Sequence, residues 1–179
     1  MRHGKTSFNF DSFILPKIKG GRNTAKLSYA YSTFARKLRD QRQLPLYYLD
    51  QIWHKPDQTN ISKEEFIQRQ KEMIKQEEWI IDGNYLTTLE LRLAACDTVF
   101  FLDLPNDVCF ESVRKRIGQV REDMPWVEET FDEEFQQWIL DFPTKQRPEI
   151  IELLKKYKEG KQIIVFHTRK EVEAYFDHQ

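Results

Sequence analysis

Trp79-Ile80-Ile81-Asp82-Gly83-Asn84-Tyr85 decides the reading of this chain, together with Asp97-Thr98-Val99-Phe100-Phe101-Leu102-Asp103-Leu104-Pro105. Neither run alternates apolar with polar residues. Each therefore reads as a strand covered on both faces, the pattern of a parallel sheet between helices. Each also stops on a carboxylate, and the carboxyl ends of strands are where open α/β sheets hold ligands. Asp-Gly and Asp-x-Pro are equally ordinary turn chemistry. Two such aspartates with arginines downstream weigh toward a site.

Working outward, Leu44-Pro45-Leu46-Tyr47-Tyr48-Leu49-Asp50 reads as a third strand ending in an aspartate, with Pro45 suited to a strand start or a sheet edge. Lys161 to Phe166 reads as another. Near the amino end, Phe8, Phe10, Phe13, Ile14 and Leu15 read as a strand that Pro16 ends, and Lys17 to Thr24 is basic and patternless. A helix is expected over Ala25 to Gln41, with Leu27, Ala30, Phe34 and Leu38 on one stripe. After a polar loop, Gln51 to Ile61, the capping box Ser62-Lys63-Glu64-Glu65 opens a helix ending near Glu77. Further helices are expected over Thr87 to Ala95, from an Asn106 cap to a Gly118 stop, from an opening at Thr130-Phe131-Asp132-Glu133 with Phe135, Trp138 and Ile139 inward, and over Pro148 to Tyr157. Thr168-Arg169-Lys170-Glu171 caps the last one. Strands alternating with helices predict an α/β fold with a mostly parallel sheet, in one domain spanning residues 1–179. The stretch 118–141 is long for a crossover and is a candidate lid.

Composition narrows the function. The 28 basic residues nearly balance the 29 acidic ones, and the net charge of −1 argues against direct nucleic-acid binding. No apolar stretch reaches membrane-spanning length and the amino terminus has no signal-peptide core, so a cytoplasmic protein is expected, as a monomer or homodimer. Cys96 and Cys109 lack metal-ligand spacing and sit in apolar contexts, as small core residues do. The four histidines form no zinc pattern.

From Ser32 onward the chain resembles the DNA topology modulation protein family, P-loop proteins similar to adenylate kinase and other small-molecule kinases. The resemblance rests on Ser32-Thr33-Phe34-Ala35-Arg36-Lys37-Leu38, Leu49-Asp50-Gln51-Ile52-Trp53, the runs ending at Tyr85 and Pro105, Gly118-x-x-Arg121-Glu122-Asp123-Met124-Pro125-Trp126 and Phe142-Pro143. It implies a three-layer P-loop NTPase fold with a small lid and ATP-dependent phosphoryl transfer to a small molecule or nucleotide. It also implies a phosphate loop G-x-x-x-x-G-K-S/T, whose glycines admit the phosphates, whose lysine neutralises them and whose hydroxyl binds Mg²⁺.

The chain departs from that motif. With Ser32 and Thr33 as the hydroxyls, Ala25 and Ala30 stand at the glycines and Tyr31 at the lysine. A rival register on Gly20, Ala25 and Lys26 puts Leu27 where a hydroxyl is required. Added Cβ atoms and a lost cation weaken ATP binding. Two accounts of the break stay open: a degenerate, non-catalytic paralogue, or residues 1–31 read in a wrong frame or from a wrong start. Its abruptness favours the second.

On the matching positions the resemblance assigns Asp50 as base or hydrogen-bond acceptor, with Arg116 and Arg121 as lid cations (Arg114 is a weaker lid candidate). Ser32, Thr33, Asp103 and Arg169 would contact ATP, with Ser32 and Asp103 ordering Mg²⁺. Trp53, Asp82, Gly83, Asn84, Tyr85 and Arg92 would hold a small-molecule phosphate acceptor. Trp53 as a core aromatic, and Arg92, Arg114 and Arg169 on solvated surfaces, are the competing readings. The family name also raises a rival, a non-catalytic regulatory or binding protein linked to DNA topology.

Overall fold

The computed structural model describes residues 13–17 and 31–177, without the side chains of Phe13, Tyr31 and Ser32. Within them, five strands form one sheet: β1 (Phe13–Lys17), β2 (Leu46–Tyr48), β3 (Trp79–Asp82), β4 (Thr98–Leu102) and β5 (Gln162–Phe166), in the spatial order β2-β3-β1-β4-β5. Eight helices are described: α1 (Tyr31–Arg42), α2 (Leu49–Trp53), α3 (Lys63–Met73), α4 (Leu86–Ala95), α5 (Asn106–Arg116), α6 (Glu133–Lys145), α7 (Arg147–Lys156) and α8 (Arg169–Asp177).

The unbroken apolar runs are explained by coverage on both sides. Ile80, Phe100 and Leu102 pack with Phe34 and Leu38 of α1, Val113 of α5 and Phe176 of α8. Their neighbours Trp79, Ile81, Val99 and Phe101 pack on the opposite face with Phe66 of α3, Leu89 and Leu93 of α4 and Ile150 of α7. Successive strand residues point to opposite faces, so a two-sided core demands apolar residues at every position. Cys96 and Cys109 are both free thiols in this core, and burial pushes the Cys96 thiol up to about 11.

The sheet is mixed, which corrects the expectation of a mostly parallel one. β2 pairs in parallel with β3 and β4 with β5, but β1 lies in the centre and runs against both neighbours. Nor does Pro16 end β1, which continues to Lys17. Proline is normally confined to edge strands, and the register shows why this one is tolerated. Pro16 stands opposite Ile80, whose N–H donates away from β1 to Pro45 O on the β2 side (2.8 Å). Its missing donor therefore faces β4, where the paired register extends only over Phe13 and Ile14. Phe8 and Phe10 lie outside the described residues, as do Lys19 to Ala30 where the phosphate loop is expected.

Other boundaries move for local reasons. The expected strand through Asp50 turns into α2 after Tyr48. Ser62 Oγ caps α3 by accepting from Glu65 N–H (3.1 Å), while the Glu65 carboxylate turns to Arg69 instead of closing the box. α3 stops at Met73, short of Glu77. Pro105, not Asn106, occupies the cap position of α5. At α8 the reciprocal box forms fully: Thr168 Oγ1 accepts from Glu171 N–H, and Glu171 Oε2 accepts from the N–H groups of Thr168 and His167. Of the expected lid, residues 133–141 belong to α6, whose Phe135 and Ile139 are core residues.

Candidate functional site

Four strands run the same way, so the residues after β2, β3, β4 and β5 share one edge of the sheet: Asp50, Asp82–Tyr85, Asp103 and His167. Asp50, in the first turn of α2, is 3% exposed and accepts a hydrogen bond from the Tyr85 hydroxyl (2.7 Å). Burial first, then the Asp50 charge and the hydrogen bond to it, raise the Tyr85 phenol well above its ordinary value, which keeps the phenol neutral. Trp53 forms an aromatic wall with Phe66 (5.0 Å between ring centroids) and Tyr85 (6.2 Å). With the Asn60 amide nitrogen donating to His54 Nδ1 (2.7 Å), its oxygen accepts from Trp53 Nε1 (3.3 Å), and the His54 ring lies edge-on to Trp126.

The Asp82-Gly83-Asn84-Tyr85 loop is built from below. Gly83 adopts φ +143°, and a Cβ there would lie 2.7 Å from the Leu49 Cβ, so glycine is required where this loop crosses α2. Arg92 is 0% exposed, which removes the solvated-face reading. From α4 its guanidinium donates to Gly83 O (2.7 Å) and Tyr85 O (2.9 Å). Burial pushes it down to about 9, and the Asp82 charge is among the groups holding it up. Arg92 thus stands beneath the loop as a positioning residue, with its charge directed at main-chain carbonyls.

Above the edge lies the segment between α5 and α6. Gly118, at φ +75°, ends the α5 region and its N–H donates to Glu128 O (2.8 Å), closing the segment into a loop. Arg121 pairs with Glu128 (2.9 Å) and Asp123 (3.3 Å); Arg116 approaches Glu128 (3.6 Å) and Arg36 of α1 approaches Asp123 (3.8 Å). Gln51 and Arg39 each hydrogen-bond Glu122, which fastens the loop to α2 and α1. Burial lowers the Arg116 guanidinium, Arg121 adds to that, and the carboxylates of Glu128, Asp123 and Asp50 oppose it.

Arg116 also borders a cavity of about 350 Å³ between α1, α5 and α8. Its floor is apolar (Phe34, Leu102, Leu104, Phe176), and among the described residues Lys37, Lys115, Arg116 and Arg169 line it with one carboxylate, Glu173. Thr33 is at its edge, and Thr33 Oγ1 accepts from Arg36. Arg169 is half-buried, donating to Ser112 Oγ (2.7 Å) across to α5. Thr33, Arg116 and Arg169 thereby line one cavity, whereas the Ser32 side chain lies outside the described residues.

Asp103 stands apart from that group. Both of its oxygens are held in a fork by Arg147 (2.8 and 2.7 Å), with His167 Nδ1 at 3.4 Å. It does not present an open carboxylate to Mg²⁺. Among the described residues, no group of three or more His, Cys, Asp or Glu side chains is arranged to hold one.

Arg36, Asp123, Glu128 and Arg147 were not foreseen as site residues. Arg36 lies within Ser32–Leu38 and Asp123 within Gly118–Trp126, but nothing near Arg147 or Glu128 marks them in sequence. Fold and site together define an α/β protein with a mixed five-stranded sheet, a charged loop fastened beside its carboxyl edge and a cation-lined cavity between α1, α5 and α8. The chain matches no family model, no curated protein and no solved structure with which it was compared. Among the described residues, no helix is long and apolar enough to cross a membrane.

Proposed function

We propose that this protein binds ATP in a P-loop-kinase-like manner and is built for phosphoryl transfer to a small-molecule or nucleotide acceptor. The cavity between α1, α5 and α8 carries this reading. Its apolar floor suits an aromatic base, and Lys37, Lys115, Arg116 and Arg169 suit a polyphosphate. Bound ATP would supply the transferable phosphoryl group. On the acceptor side, the buried Asp50 carboxylate is a hydrogen-bond acceptor for an incoming hydroxyl, beside Tyr85 and the Trp53 wall. Arg116 and Arg121 would stabilise charge developing on the transferring group, an effect that grows once the loop above excludes water. Gly83 and Arg92 hold the acceptor loop in shape.

The chain's lack of a G-x-x-x-x-G-K-S/T motif favours one second reading, a nucleotide-binding protein without turnover. Calorimetric titration of the full chain with ATP, followed by an assay for ADP release with candidate acceptors, separates the two. Binding abolished by Arg169→Ala, in a variant that melts normally, supports the cavity. No heat or thermal shift at millimolar ATP refutes both readings.

A further inference from the structure

We propose that Glu128, with Asp123 beside it, is an internal stand-in for a phosphate group: an anion held in cis that an incoming phosphate displaces. The proposal rests on the anion-binding reading above and names how that site is regulated.

Three guanidiniums converge on the loop between α5 and α6. Arg36 comes from α1, Arg116 ends α5, and Arg121 is in the loop itself. The loop supplies two of the carboxylates that meet them, Asp123 and Glu128, and the Asp50 charge also acts on Arg116. The side chains of Arg116, Arg121 and Glu128 are only 14–16% exposed and that of Asp123 is 9% exposed, so these charges are largely shielded from water. Such pairs are strong enough to hold a loop yet carry a desolvation cost that leaves them exchangeable for a better-matched anion.

The match is imperfect. Glu128 Oε2 lies 2.9 Å from Arg121 Nη2, yet it completes no hydrogen bond of good geometry and is shut off from solvent. A phosphate group carries three acceptor oxygens in a tetrahedral array and takes planar guanidinium forks better than one carboxylate oxygen approaching off-axis. Arg116 belongs to both this cluster and the cavity, so an anion reaching it from the cavity competes directly with Glu128. The Glu128 main chain is fixed independently through Gly118 N–H, which lets the side-chain charge be removed without releasing the loop.

The test is calorimetric titration of the full chain with inorganic pyrophosphate, in wild type and Glu128→Gln, with ATP run in parallel. The variant is expected to bind pyrophosphate about tenfold more tightly, and to melt lower than wild type without the ligand and closer to it when saturated. Equal or weaker pyrophosphate affinity in Glu128→Gln, with wild type binding, overturns the internal competitor and leaves the ATP site standing. Absence of binding to either protein by either ligand overturns both. Should Glu128→Gln fail to fold, Asp123→Asn carries the same expectation and the same refutation.

Discussion

Replacing Arg92 by methionine is the sharpest probe of how the acceptor loop is held. Methionine keeps much of the side-chain volume in the core around Leu89 and Leu93, so packing changes little. What is lost are two short, charge-assisted hydrogen bonds to Gly83 O and Tyr85 O. Each such bond contributes about 1.5–3 kcal/mol, and a buried acceptor left without a donor costs a comparable amount. Asp82, itself 1% exposed, also loses the positive charge of a neighbouring guanidinium. These overlap, so the expected loss is about 3–5 kcal/mol, or roughly 10 °C in melting temperature for a chain of this size. Urea unfolding at neutral pH measures it. Arg92→Lys keeps the charge but not the fork, and should fall between wild type and methionine. A loss below about 1 kcal/mol for Arg92→Met would refute the view that the loop hangs on this guanidinium.

The other expectations concern the same edge. Gly83→Ala places a Cβ against Leu49 at an unfavourable φ and should cost at least about 2 kcal/mol; an unchanged melting temperature would contradict the geometry. Tyr85→Phe removes the hydrogen bond to Asp50 and should cost about 1–2 kcal/mol at neutral pH. Because the Tyr85 phenol is raised in the folded state, its contribution is whole below about pH 10 and is lost as pH rises further; the variant should show a flatter alkaline limb. Burial lowers the His54 imidazole, so its contribution is present above about pH 6.5 and is lost as pH falls. Melting curves of His54→Asn between pH 7 and 5 should be less pH-dependent than wild type, and equal slopes would remove His54 from the account. Arg147→Met should destabilise the protein, and Asp103→Asn in that background should restore part of the loss, because the lone carboxylate is the costly partner; additive losses would show that the fork couples nothing.

Much of the scaffold was legible in the residues. Unbroken apolar runs at β3 and β4 require cover on both faces, and the alternation of strands with helices defines an α/β chain; both follow from local periodicity, which the backbone obeys everywhere. The caps at Ser62 and Thr168 were visible because a cap is satisfied within one turn of the chain. Asp82 and Asp103 could be placed at strand ends for the same reason, whereas Asp50 falls in the first turn of α2. Strand direction could not. Phe13, Ile14 and Leu15 are apolar read either way, and only pairing to β3 and β4 sets β1 antiparallel, with Pro16 falling where no ladder bond is needed.

The partners of the charges were also beyond local reading. Arg92 sits on a helix whose pattern permits exposure or burial, and the loop carbonyls it holds are brought to it by the β3–α4 turn. Arg147 is 44 positions from Asp103, and Arg36 meets Asp123 only because the α5–α6 loop folds back over α1. Sequence alone therefore determined which segments fold and where carboxylates end the strands. The tertiary structure decided which way the central strand runs and which cation neutralises which carboxylate, because both depend on contacts between distant segments.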